Sequence, residues 1–195
     1  MLQAVLSELG YTKTSIISIA DDYDHTKKTL EEAIDTHNVV IVTGGVSVGD
    51  YDFVGKALIA IDVQEVFYKV KQKPGKPLFF GKKDQVSIFG LPGNPGAALS
   101  CFYMYVYPLL KKSEGATNIK LPTISMPLLT NYTVKGNRAQ FLKASIHEEG
   151  VQILEGQSSA MLRAFGVANA FVFFPENTTQ IKKGALVKTI LLPNK

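Results

Sequence analysis

Cysteine, histidine and tryptophan are scarce in this sequence: of 195 residues one is cysteine, three are histidine and none is tryptophan. A lone Cys101 excludes an internal disulfide framework and fits a reducing cytoplasm, the expected location. It sits in the apolar run Ala98-Leu99-Ser100-Cys101-Phe102 and reads as buried filler, not as a nucleophile. His25, His37 and His147 lack metal-ligand spacing and read as surface residues. A formal charge of +4 suits small anionic ligands, but the lysines and arginines are too dispersed for a nucleic-acid partner. Apolar runs stop short of the roughly 18–20 residues of a membrane span. The nearest, 97–110, is interrupted by Ser100 and Pro108, so no membrane partner is expected. No basic stretch followed by an apolar core opens the chain, and no signal peptide is expected either.

What is present is a regular alternation of apolar segments. Residues 2, 5, 6 and 9 are apolar at helical steps, and Gly10 follows as a stop. Residues 15–20 read as a short buried strand. Asp24 or Thr26 can cap a helix that carries Leu30, Ala33 and Ile34 on one face. Residues 39–43, 66–70 and 86–91 read as strands, 53–61 as a helix, and Pro95 opens a helix that runs to Lys112. Continuous apolar strands alternating with helices predict a three-layer αβα fold on a mostly parallel sheet. The chain begins on a helix that should follow a strand, so the pattern predicts an N-terminally truncated piece of a larger protein, lacking that first strand. Residues 113–120 are polar and suit a linker. Beyond them 124–129, 139–146, 151–155, 170–174 and 186–192 are short β-rich segments separated by turn residues, with one helical turn in 158–165. They predict a small all-β barrel or sandwich. The expected domains are therefore 1–118 and 119–195.

Three loops carry candidate chemistry. The first, Thr43-Gly44-Gly45-Val46-Ser47-Val48-Gly49-Asp50-Tyr51-Asp52, lies between a buried strand and a helix. Glycines let backbone N–H groups approach a ligand, and a helix start offers unpaired donors. Gly44, Gly45, Ser47, Gly49 and Asp50 are candidate binding residues. Two aspartates do not belong in a bare anion site, but a phosphate-like ligand with a divalent cation reconciles them, with Asp52 as metal ligand. The simpler reading makes either aspartate a helix cap. The second loop is Lys73-Pro74-Gly75-Lys76-Pro77, where a stiffened turn presents two ammonium groups, as an oxyanion pocket or as a solvated basic turn. The third, Gly90-Leu91-Pro92-Gly93-Asn94-Pro95-Gly96, offers Pro92, Gly93 and Asn94, and by itself reads as a device for starting a helix. Loops that each follow a parallel strand gather at the carboxyl edge of the sheet, where open α/β folds bind ligands. In the second half Arg138 and the pair Ser158-Ser159 stand out, with exposed turns as their plain reading.

In this order and spacing the three loops closely resemble the MoeA family, the molybdopterin molybdenumtransferases related to the E domain of gephyrin. The resemblance covers essentially the whole chain. It implies a molybdopterin-binding, MogA-like α/β domain followed by a small β domain. It also implies that adenylylated molybdopterin and molybdate react, with Mg²⁺, to give molybdenum cofactor and AMP. Ser47 and Asp52 match the pterin-phosphate and metal positions, and Lys73, Lys76 and Pro77 the molybdate-holding loop. Asp52, Lys73 and Lys76 would then carry the chemistry, Asp52 as a metal ligand and not as a base. Arg138 and Ser158 resemble residues that line the same site. The family usually has Pro-Glu after that arginine, where this chain has Ala139-Gln140. Its earlier Thr-Gly-Asp-Glu strand and two preceding domains have no counterpart here. The implied partners are a second copy in a homodimer and the upstream molybdopterin adenylyltransferase. Other readings are the sister adenylylating module, which lacks an appended β domain, a non-catalytic gephyrin-type scaffold, and a pterin-binding piece inactive without the preceding domains.

Overall fold

The computed structural model describes residues 1–45 and 53–193. They pack as two units, 1–70 with 75–94, and 71–74 with 95 onward. In the first unit, helix α1 (Leu2–Glu8) is followed by Gly10 in the left-handed region, φ 90°. The next helix, α2 (Tyr23–Thr36), is capped by Asp22 and not by Asp24 or Thr26. The Asp22 carboxylate accepts the His25 N–H at 2.7 Å, and Thr26 donates its hydroxyl to the Asp22 carbonyl at 2.6 Å. An aspartate three residues before the last unpaired amide of the first turn is the geometry a cap needs.

Strand β1 (Val39–Thr43), helix α3 (Phe53–Ala60) and strand β2 (Gln64–Tyr68) follow, then β3 (Gln72–Lys73), which belongs to the second unit. Strands β4 (Phe79–Lys83) and β5 (Val86–Leu91) complete a four-stranded sheet ordered β1-β5-β4-β2. β1 runs parallel to β5, while β4 pairs antiparallel with both β5 and β2. The β4–β5 hairpin turns through Asp84 at φ 51°. The sequence pattern predicts no strand at 79–83, so this hairpin has no counterpart among the expected elements. The expected strand at 15–20 does not form. Its side chains Ile16 and Ile17 are 64% and 53% exposed, and no described strand offers that segment a ladder of hydrogen bonds.

Apolar faces then decide the packing. Leu30 and Ile34 from α2 and Val54, Ala57 and Leu58 from α3 close over Val40, Phe79 and Ile88 on one face of the sheet. Alternate residues point the other way, where Phe67, Phe80 and Phe89 stack at centroid separations of 5.7 and 4.7 Å.

In the second unit Pro95 is the first residue of α4 (Pro95–Cys101), as its fixed φ favours. A π-helical turn (Phe102–Val106) and α5 (Tyr107–Ser113) continue it. The sequence predicts one uninterrupted helix here, but Pro108 has no N–H to return to the preceding turn. The wider π turn just before it absorbs that missing bond. Strands β6 (Thr123–Pro127), β7 (Tyr132–Thr133), β8 (Ala139–His147) and β9 (Gly150–Ile153) come next. After a 3₁₀ turn (Arg163–Gly166) come β10 (Ala170–Phe174), β11 (Gln180–Ile181) and β12 (Leu186–Leu191). They form a sheet ordered β3-β8-β10-β12-β6, with β9 beside β8, and a separate β7–β11 pair. Leu128, Leu142, Val151, Val172, Phe174 and Val187 fill its core. No helix among the described residues is long and apolar enough to cross a membrane.

Candidate functional site

Within the first unit, strand register gathers three of the candidate segments. Parallel pairing sets Thr43 opposite Leu91, so β1 and β5 end side by side. The Gly44 N–H donates to the Leu91 carbonyl at 3.3 Å, and a methyl group on Gly93 would lie 3.5 Å from the Gly44 Cα. The loops after the two strands therefore run so close that a single methyl group would fill the space between them. Antiparallel pairing of Phe79 with Gly90 brings the residues before β4 to the same end. There the Lys76 carbonyl accepts the N–H groups of Val70 and Leu78, at 3.0 and 2.9 Å, closing a turn that leaves the Lys76 side chain exposed. Gly44 and Gly45, Lys76 and Pro77, and Pro92, Gly93 and Asn94 thus share one sheet edge. Gly45 is obligatory at its position. It holds φ 63°, and a Cβ there would sit 2.7 Å from Val54 Cγ2.

Ser47, Gly49, Asp50 and Asp52 lie outside the described residues. Among the described residues no group of three or more histidine, cysteine, aspartate or glutamate side chains could hold a metal ion.

The second unit holds Lys73, Arg138 and Ser158. Lys73 lies on β3, which pairs parallel with the start of β8, Gln72 opposite Ala139 and Lys73 opposite Gln140. Gln72 is buried and anchors this short strand. Its side-chain carbonyl accepts the Tyr105 hydroxyl from the π turn, and its amide donates to the Cys101 thiol at 3.8 Å. Its main-chain carbonyl accepts Nη1 of Arg138 at 3.2 Å. Lys73 and Arg138 are thereby fixed by the same residue. Burial pushes the Cys101 thiol up to about 12, against a smaller opposing effect of the Gln72 hydrogen bond. Burial, reinforced by Cys101, raises the Tyr105 hydroxyl to about 12 as well. Both stay neutral donors or acceptors at ordinary pH, as the network requires.

The Ala139-Gln140 departure has a structural account. Ala139 donates its N–H to the Lys71 carbonyl at 3.3 Å, a bond that proline could not make. Gln140, buried, donates its side-chain amide to the Lys135 carbonyl at 2.7 Å.

Ser158 is exposed on a loop tied to β8. The Gln157 side chain accepts the Lys143 N–H at 3.0 Å and donates to the carbonyls of Lys143 and Leu154, both at 2.8 Å. The Lys143 ammonium donates to the carbonyls of Gly156, Ser158 and Met161. Its burial lowers its pKa from the usual lysine value. Gln72, Tyr105, Gln157 and Lys143 escaped the sequence reading. Lys143 carried a visible signal, a lysine inside the strand-forming run Phe141-Leu142-Lys143-Ala144. The glutamines carried none.

Comparison with known proteins agrees with this architecture. The pattern of the family described as a probable molybdopterin binding domain matches residues 1–112, and that of the MoeA C-terminal region, domain IV, matches 125–192. The molybdopterin molybdenumtransferase of Staphylococcus aureus strain Mu50 is 30% identical, over 98% of this chain and 46% of its own length. That of Staphylococcus epidermidis strain ATCC 12228 is 29% identical with the same coverage. The chain thus spans about half the length of the curated relatives it matches. Two crystal structures of the Pyrococcus horikoshii molybdopterin biosynthesis MoeA protein share the fold, with TM-scores of 0.79 and 0.73 at 24% and 22% identity. They cover 98% of this chain and 47% and 46% of those chains. A molybdenum cofactor biosynthesis protein from Pyrococcus furiosus gives a TM-score of 0.75 at 21% identity, over 97% of this chain and 63% of that one. The first pattern covers more than half of the chain and the second follows it in order, so the chain belongs to the MoeA family.

Proposed function

We propose that this chain is the pterin- and oxyanion-handling part of a molybdopterin molybdenumtransferase, which inserts molybdate into adenylylated molybdopterin and releases AMP. One observation carries the reading: Gly44 and Gly45, Lys76 and Pro77, and residues 92–94 meet at one sheet edge. Molybdate and the phosphoanhydride are both anions, so bringing them together costs electrostatic repulsion. Lysines and backbone donors lower that cost by positioning and charge stabilisation. Lys73 and Lys76 hold molybdate, and among the described residues neither is ion-paired with a carboxylate. Ser47 and Gly49 bind the pterin phosphate, Arg138 and Ser158 line the site, and Asp50 and Asp52 supply hard oxygen donors that suit Mg²⁺. Asp52 would hold that ion, which neutralises phosphate charge when bound. The working domains are 1–118 and 119–195, in a cytoplasmic homodimer supplied by an upstream adenylyltransferase.

AMP release from adenylylated molybdopterin, followed against molybdate concentration in the full-length protein, tests this. Replacing Lys73 and Lys76 together with alanine should raise the molybdate concentration for half-maximal rate by about tenfold or more, with pterin affinity little changed. An unaltered molybdate dependence refutes the assignment.

A further inference from the structure

Lys143 is the only buried charged side chain among the described residues, at 4% exposure. A buried ammonium normally needs a carboxylate, and among the described residues none pairs with it. Its three hydrogen bonds go instead to main-chain carbonyls, those of Gly156 at 2.8 Å, Ser158 at 3.3 Å and Met161 at 3.4 Å, beside the Phe165 ring at 5.4 Å. All three belong to one loop. The same loop seats the start of α4: Ala97 donates its N–H to the Ser159 carbonyl at 3.0 Å. A Cβ at Gly96 would lie 2.8 Å from the Met161 carbonyl oxygen and 2.9 Å from that of Ser159. One cation therefore gathers the carbonyls of a segment that would otherwise be free to turn them to water. The exposed Ser158 hydroxyl accepts the Ala160 N–H at 3.4 Å and keeps its own proton for donation to an oxygen acceptor.

We propose that Lys143 is a positioning residue for pterin recognition: it does not touch the substrate, but its carbonyl cage fixes the loop that presents Ser158. This rests on the proposed role of Ser158. Lys143→Met keeps an unbranched side chain one atom shorter and removes every donor, whereas Lys143→Arg keeps donors and charge. In the full-length protein, amide hydrogen exchange at Met161 and Ala97 should accelerate about tenfold or more in Lys143→Met, with the β10–β12 ladder unchanged. Lys143→Arg should restore protection. Affinity for adenylylated molybdopterin should fall about tenfold in Lys143→Met, and that loss should disappear when Ser158 is already alanine. Wild-type exchange at both amides, exchange accelerated evenly over the whole unit, or affinity losses that simply add would each overturn the proposal. A wild-type protein that binds no adenylylated pterin overturns the reading beneath it. That failure is told apart by the exchange pattern, which needs no ligand.

Discussion

Raising the pH should loosen the anchor of Lys73 through a thiol that never meets solvent. Cys101 is fully buried, and its pKa rises from 9.0 to about 12 on burial. In the unfolded chain the thiol keeps its ordinary value and loses its proton first. Between pH 9 and 12 the unfolded state therefore binds fewer protons than the folded one, and stability falls as pH rises, by about 1.4 kcal/mol per unit. Below pH 9 the thiol adds no slope. From pH 8 to 11 the expected loss is about 2–3 kcal/mol, a large part of an ordinary folding free energy. Tyr105 titrates in the same direction, so the sulfur contribution is isolated by comparison with Cys101→Ala, which keeps Tyr105. Urea unfolding followed by far-UV circular dichroism at pH 8 and pH 11 gives both slopes. The stability advantage of the wild type over the alanine variant should shrink by that amount. Equal losses in the two proteins would refute the reasoning. So would rapid stoichiometric labelling of the native thiol at pH 8, where a pKa of about 12 leaves about one thiol in ten thousand ionised.

Two further substitutions test the local geometry. Gly96→Ala should destabilise by about 1–3 kcal/mol, since its methyl would press on two loop carbonyls at 2.8 and 2.9 Å, and it should weaken pterin binding along with it. Thermal unfolding and a pterin titration read both effects, and an unchanged melting temperature rules out the close approach. Asp22→Ala should cost about 1 kcal/mol in urea unfolding through loss of the α2 cap. Asp24→Ala, which removes only a first-turn charge, should cost about half of that or less; equal costs would move the cap to Asp24.

Which features could be read from the sequence follows from where their causes lie. β10 sits at the residues expected for it because Ala170-Phe171-Val172-Phe173-Phe174 is an uninterrupted β-forming run. Pro95 marked the start of α4 because its constraint is local. The failures needed information held elsewhere in the chain. Residues 15–20 have strand composition, but a strand also requires a neighbour, and none of the described strands supplies one. Asp24 and Thr26 are expected as caps because both residue types can cap a helix, but Asp22 is also an aspartate and only the His25 amide selects it. In the candidate site, the glycine and proline loops were legible because backbone freedom is written in residue type. Gln72 and Gln157 were not, since glutamine carries no mark of its two partners until β3, β8 and the π turn are assembled.

The cations of the second unit show what such hidden residues contribute. Lys71, on the surface, pairs with Glu176 and its charge is cancelled where water already screens it. Lys143 and the half-buried Arg138 are satisfied by carbonyl oxygens instead. Carbonyl dipoles solvate an ammonium or guanidinium without cancelling its charge, so the second unit keeps both positive charges beside the loops that hold Lys73 and Ser158. A carboxylate in either place would stabilise the cation better and leave a nearby anion less to gain. Under the proposed function, a site that must gather two anions is served by the arrangement that sacrifices some local stability and keeps the field.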